Sequence, residues 1–297
     1  MTTLTNPNYP TKRRSRFLLE PLLGGSAQLA IHVILIIIGI VYVFPFIWTL
    51  GSAFKTSTEF FSLGLTPFPA GGWQVSNFVK AWEGAKFSRY FLNTVFVSVM
   101  TTFFVVIITS MAAFGLARLK IPGKNLVLGA IALTFFLPRG YTILPVFQIV
   151  KGLGLLNTLW AIILTGTAGN LLINTLLFYG YMQAVPNEIE EAAVMDGATV
   201  LQRYLRVVLP LTGPVMATVS LFTFMNSWND FFTPLVFTLG RPELQTLAVG
   251  IYSFVGDTSR DWTALCAAAT ISIVPVVLVF LVLQRYFIEG FAGAVKS

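Results

Sequence analysis

Charge is scarce in this sequence. Only 10% of its 297 residues are Asp, Glu, Lys or Arg, against about 25% in an ordinary soluble domain. So few charges cannot cover a water-facing surface of this size, and a soluble globule or a disordered chain is excluded. Cysteine occurs once, at Cys266, so no internal disulfide framework exists. Histidine also occurs once, at His32, so a His-based metal site and a Ser/His/Asp or Cys/His catalytic set have no material beyond one ring inside an apolar run. No Gly-rich loop leads into Lys-Ser/Thr, so the chain carries no phosphate-binding loop of its own. No repeat or low-complexity tract is present.

What remains is apolar: 56% hydrophobic and 14% aromatic, with a mean hydropathy of +0.79. A membrane helix needs about 20 mostly apolar residues. Residues 21–54, 90–117, 152–187, 207–229 and 262–284 contain no Lys, Arg, Asp or Glu. A weaker sixth run starts at Asn125 and meets Pro138 and Arg139. These runs predict an all-α polytopic membrane protein with about six transmembrane helices, near 27–50, 91–115, 125–147, 158–181, 208–229 and 263–286. The third is expected to break or end near Pro138. An arm, 1–26, precedes one membrane domain, 27–297. The apolar stretch of the first span is too long for a signal peptide, whose core is about 7–15 residues.

The net charge of +7 fits a membrane topology better than a nucleic-acid partner. Lys12, Arg13, Arg14 and Arg16 precede the first span. Arg118, Lys120 and Lys124 crowd the turn after the second, Arg203 and Arg206 precede the fifth, and Lys296 follows the sixth. The positive-inside rule places these in the cytoplasm. Both termini are then cytoplasmic, and 51–90 and 230–262 are external.

The segment 182–207 reads as a cytoplasmic helix-turn-helix. Asn187 is positioned as an N-cap with Glu190 three residues on, as in a capping box. Gly197 is placed to end the helix in the left-handed region. Thr199 can cap a second short helix, 200–208, stopping near Leu209-Pro210. Ala192 and Ala193 let another surface approach closely. Three glutamates at the start disfavour an interfacial helix on anionic lipid, so the segment is expected to dock on protein.

Polar residues inside spans usually face a bundle interior. Thr165, Thr167, Asn170, Asn174 and Thr175 fall on the fourth span, with Asn170 and Asn174 on one face. Asn226, Trp228 and Asn229 fall near the outer end of the fifth. Two readings stand side by side: a pathway for a hydroxyl-rich ligand, or hydrogen bonds between helices. Trp228, Phe231 and Phe232 suit an aromatic belt or packing, with stacking on sugar rings as the alternative.

The run Glu191-Ala192-Ala193, then Gly197, then Val207-Val208-Leu209-Pro210, resembles the "EAA" loop of permease subunits of binding-protein-dependent ABC importers. Asp196-Gly197-Ala198 is similar to the carbohydrate-uptake branch. So are Phe91-Leu92-Asn93-Thr94, the turn Ala117–Lys124 and Ser227-Trp228-Asn229-Asp230-Phe231. The end, from Gln284 through Gly290 to Lys296, resembles the second, MalG-like permease of maltose-type importers. The resemblance covers roughly 30–297. It implies a non-catalytic subunit of the prokaryotic plasma membrane, forming half of a pathway for a sugar. It also implies a MalF-like second permease, two cytoplasmic ATPase subunits that use ATP and Mg, and an external binding protein. Glu190, Glu191, Ala192, Ala193, Asp196, Gly197, Leu209 and Pro210 are the implied ATPase-coupling positions. The tail 290–297 would reach toward the ATPases, and the loop 233–261, expected to be mobile and polar, toward the binding protein. A stand-alone secondary transporter or channel is the alternative, but it requires a buried ionisable residue that the spans barely offer.

Overall fold

The computed structural model describes residues 25–62, 66–134, 136, 142–256 and 261–294. The N-terminal basic residues 12–16, Pro138, Arg139, Asp257, Arg260 and Lys296 lie outside the described residues, as do the side chains of the tail. Among the described residues the structure is helical, with no strand.

The chain divides into two units at Trp48. The first contains most of α1 (Gly25–Ser52). Its hydrophobic side chains from Leu29 to Ile47 are exposed all round, as suits a helix whose solvent is lipid. His32 places Nδ1 2.7 Å from the Gln28 carbonyl.

The second unit begins with two short helices, α2 (Ser57–Phe61) and α3 (Ser76–Glu83). Glu59 accepts from the Thr56 amide and hydroxyl and from the amides of Ala70 and Gly71. Those hydrogen bonds, led by Thr56 and Gly71, hold its carboxyl below the usual range. The long span α4 (Phe87–Arg118) follows. Then come two shorter apolar helices, α5 (Lys124–Thr134) and α6 (Ile143–Gly152), where the third span was expected. The span α7 (Leu159–Ala184) starts at Thr158, whose hydroxyl caps the Ala161 amide at 3.2 Å.

Beyond α7 lie α8 (Asn187–Met195) and α9 (Val200–Gln202). A π-helical stretch, Arg203–Val208, then runs into α10 (Leu209–Leu211). The rod Val200–Leu211 meets α11 (Gly213–Trp228) at a 78° corner. Pro214 explains the corner: it lacks the amide that would bond back, and its ring collides with the carbonyl four residues earlier. The expected span 208–229 therefore turns at Thr212 instead of running straight. After α12 (Phe232–Phe237) and α13 (Leu247–Gly256), the last span α14 (Trp262–Ala294) closes the unit. Asp261 caps it, accepting from the Ala264 amide at 3.0 Å and the Thr263 hydroxyl at 2.7 Å.

Among the described residues, four helices are long and apolar enough to cross a bilayer, or five if the bent pair is one span. Against α4 pack α7, α11 and the far segment 233–256. The core has two main parts. Val105, Phe114, Phe178, Met182, Tyr204, Val208 and Val219 join α4, α7 and the 200–219 region at one end. Phe87, Tyr90, Phe224, Trp228, Leu247 and Ala267 form the core at the other.

The segment 233–261 was expected to be a mobile polar loop; several of its described residues pack into the core instead. Phe237, Thr238, Thr246, Leu247 and Val249 are all buried. Asn93 on α4 donates to the carbonyls of Glu243 and Gln245, both at 2.9 Å. The neighbouring Thr94 hydroxyl accepts from the Leu247 amide at 2.7 Å. Gly250 lies flat on the Tyr90 ring, where a Cβ would come within 2.2 Å of Cδ2.

Candidate coupling loop and cavity

Two places gather chemistry. The first is the loop between α7 and α11. Pro186, not Asn187, precedes the first turn of α8, and no side chain caps that helix. Asn187 turns its Oδ1 to the Arg118 guanidinium instead. Arg118, the last residue of α4, also donates through Nη2 to the carbonyls of Met182 at 2.6 Å and Val185 at 2.7 Å. Carbonyls at a helix C-terminus keep spare acceptor capacity, Met182 taking the Val185 amide as well at 3.2 Å, and a cation there is favoured by the helix dipole.

Glu190 was expected to reach back to the cap. It turns inward: one carboxylate oxygen lies 3.3 Å from Arg118 Nε and the other 3.1 Å from Arg203 Nη1. Behind this group the Tyr204 and Ser110 hydroxyls are 2.7 Å apart, and the Tyr204 ring packs on Phe114.

Gly197 ends α8 with φ 76°. Its amide bonds to the Val194 carbonyl at 2.9 Å and that of Ala198 to Ala193 at 3.0 Å, the paired 5→2 and 6→1 bonds of a Schellman motif. Thr199 and Gln202 then form a full capping box. The loop is thus capped at both sides of its turn. Its outward face carries Ile189, Val194, Met195, Val200, Leu201 and Leu205, all exposed, with Met195 at 87%. Glu191, Ala192, Asp196, Gly197 and Pro210 are exposed too, while Ala193 and Leu209 are half-buried. Apolar side chains along so short a segment, rimmed by acids, make an exposed patch of the kind found at protein or membrane contacts.

The second place is a cavity of about 700 Å³ lined by residues of α5, α6, α7, α11 and the start of α12. Thr134, Thr142, Thr165, Asn170, Asn226, Ser227, Asp230 and Thr233 supply its polar wall, and Ile143, Val146, Ile162, Leu172, Ile173 and Phe232 its apolar one. Of the five pathway residues read from the sequence, Asn170 and Asn226 line it. Asn174 is buried, donating to the Asn170 carbonyl at 2.8 Å and facing Thr223. Trp228 is 4% exposed and packs between Phe224 and Phe91, so its ring belongs to the core. Asn229 is exposed and donates to the Met225 carbonyl at 2.9 Å, away from the cavity wall.

Sequence reasoning missed Thr134, Thr142 and Thr233, because they sit on broken helices with no periodicity to mark a face. Asn170 donates to the Gly166 carbonyl at 2.8 Å and Thr165 to that of Ala161 at 2.6 Å. Each spends one donor on its own helix, which leaves the wall with hydroxyl and amide oxygens and a second N–H of Asn170. Such a wall suits a ligand rich in hydroxyl donors with apolar faces. No cluster of His, Cys, Asp or Glu among the described residues could hold a metal.

Residues 78–292 match the family model described as binding-protein-dependent transport system inner membrane component. A probable ABC transporter permease protein of Bacillus subtilis, YurM, is 34% identical over 92% of this chain and 89% of its own length. The diacetylchitobiose uptake system permease protein NgcG of Streptomyces coelicolor is 33% identical, over 86% of this chain and 84% of its own. Among solved structures, a chain of a bacterial ABC transporter involved in import of the acidic polysaccharide alginate superimposes with a TM-score of 0.79. It shares 23% identity, over 90% of this chain and 99% of that one. The chain belongs to the family of binding-protein-dependent transport system inner membrane components.

Proposed function

We propose that this chain is one membrane half of an ATP-driven importer that passes a carbohydrate delivered by an external binding protein. The observation that carries the coupling half of this reading is the loop 186–212. It is rigidly capped, fixed from behind by ion pairs, and apolar on its outward face. A segment built so offers itself to a separate protein, and the chain has no phosphate-binding loop with which to use ATP itself. Two ATPase subunits and a second permease complete the machine. The loop and both termini are then cytoplasmic, with 51–90 and 230–262 outside, as the basic residues require.

The carbohydrate assignment is supported by the hydroxyl- and amide-bearing cavity wall and by the uptake named for NgcG. ATP-driven closure of the ATPases supplies the differential affinity that shifts the bundle between its two orientations.

Gly197→Val tests the coupling role. A β-branched side chain is strained at φ 76°, so the end of α8 must rearrange. Membrane insertion should persist, ATPase subunits should co-purify poorly, and sugar uptake should be lost. Normal uptake with normal ATPase recovery would defeat the reading. A cysteine at position 122, in a Cys266→Ala background, should label only from the cytoplasmic side.

A further inference from the structure

Arg118, Glu190 and Arg203 form a charge cluster that docking on a partner does not require. Their side chains are 6%, 10% and 17% exposed, so a protein resting on the loop would meet the apolar face and not these groups. Arg118 spends both terminal nitrogens in hydrogen bonds to this chain, and its buried Nε faces Glu190 as an ion pair. It holds two end carbonyls of α7, the Asn187 side chain at the start of α8, and the Glu190 carboxylate. Glu190 adds Arg203, in the first turn of the π-helical stretch. Two cations share one carboxylate, and the carbonyl end of α7 supplies the rest of the negative potential.

We infer that Arg118 and Glu190 are positioning residues that lock the loop to α4 and α7, so that the three move as one body. This rests on the coupling reading above. The physical reason is geometric. A flexible loop pushed by a partner would bend at the 184–187 junction, where Val185 and Pro186 have left helical geometry. Arg118 bridges that junction from both sides, which removes the bend as an alternative to moving the spans. Lys could supply the charge, but not a planar fork reaching several acceptors at once. Glu190 therefore serves inside the chain, while the exposed Glu191 is the carboxylate left to face a partner.

The test uses the assembled importer, with spin labels at Lys120→Cys and Glu188→Cys, an exposed position of α8 outside the apolar face, in a Cys266→Ala background. In the otherwise wild-type chain, the distance between labels should be narrow and unchanged between nucleotide-free and ATP-bound states. Glu190→Gln should broaden it. Sugar transported per ATP hydrolysed should fall about ten-fold in Glu190→Gln and in Arg118→Lys, within the usual range of coupling free energies. A merely structural defect would instead lower assembly and leave that ratio alone. A distance that shifts with nucleotide in the wild-type background overturns the inference. So does a wild-type ratio in both variants. Should the variants fail to assemble, the wild-type distance decides by itself. Should the wild-type chain recover no ATPase, the coupling reading falls. The label distribution of Glu190→Gln in the isolated chain then decides the lock: broadening supports it, and an unchanged width refutes it.

Discussion

Replacing Thr94 with Val removes one atom's worth of chemistry and almost none of the shape. Thr94 is fully buried on α4, and Leu247, whose amide its hydroxyl accepts at 2.7 Å, is 1% exposed. Leu247 opens α13, so its amide has no intrahelical carbonyl to turn to. Val keeps the β-branch and fills the same space, but it offers a methyl where the acceptor stood. The bond from the Thr94 hydroxyl to the Tyr90 carbonyl at 2.8 Å also goes, at little cost because helical carbonyls have a second partner. The dominant loss is a buried, unsatisfied N–H, worth about 1–3 kcal/mol. Confined to the segment 238–256, that raises the open population about 5- to 150-fold. Hydrogen exchange at the 247–251 amides should accelerate by that factor, with amides in the middle of α7 unaffected. Thr94→Ser keeps the acceptor and should stay near wild type. If Ser is damaging and Val is not, the methyl and not the hydroxyl matters. If Val exchanges like the wild type, the segment is not held by this bond.

Two further perturbations follow from the same end of the bundle. Gly250→Ala drives a methyl into the buried Tyr90 ring at 2.2 Å, so melting in detergent should register about 1–3 kcal/mol of overpacking, partly relieved by Tyr90→Leu. Asp261 is pushed up by burial. The Ala264 amide, the Thr263 hydroxyl, the Lys80 charge and the Thr263 amide outweigh this and set its carboxyl below the ordinary value. A lowered carboxyl stabilises the fold fully above the unfolded pKa of about 3.9 and loses that stabilisation as pH falls through the folded value. Melting temperature should therefore drop more steeply with acid below about pH 4 in the wild type than in Asp261→Asn. Parallel curves would refute the assignment.

The apolar runs, Gly197 as the end of α8 and Thr199 as the cap of α9 were all legible in the sequence, because each depends on neighbours within four residues. The cluster at Arg118 was not. As a sequence feature Arg118 reads only as a topology marker, and Glu190 as the partner of its own helix start. Their actual bond spans 72 positions, from 118 to 190, and no local pattern encodes it. Asn93 and Thr94 mislead in the same way: they look like the opening of a span and in fact pin a segment 150 residues away. The far segment hid its burial because Phe237, Leu247 and Val249 lie on short elements with no long apolar run. Trp228 was open to two readings, and only its ring contacts place it in the core. The corner at Thr212 had its signal in Pro210 and Pro214.

The polar side chains of α7 have a consequence for how the protein is made. Thr165, Asn170, Asn174 and Thr175 each donate to the carbonyl four residues earlier in their own helix, at 2.6 to 2.8 Å. Thr102 and Thr109 do the same on α4, and Thr270 and Ser272 on α14. A hydroxyl or amide entering hydrocarbon with no partner costs several kcal/mol. Here the donors carry their partners with them. These side chains can leave the insertion machinery without waiting for a neighbour that has not yet been synthesised. Asn93 is the contrast: its amide finds the carbonyls of Glu243 and Gln245 only once the far segment is in place.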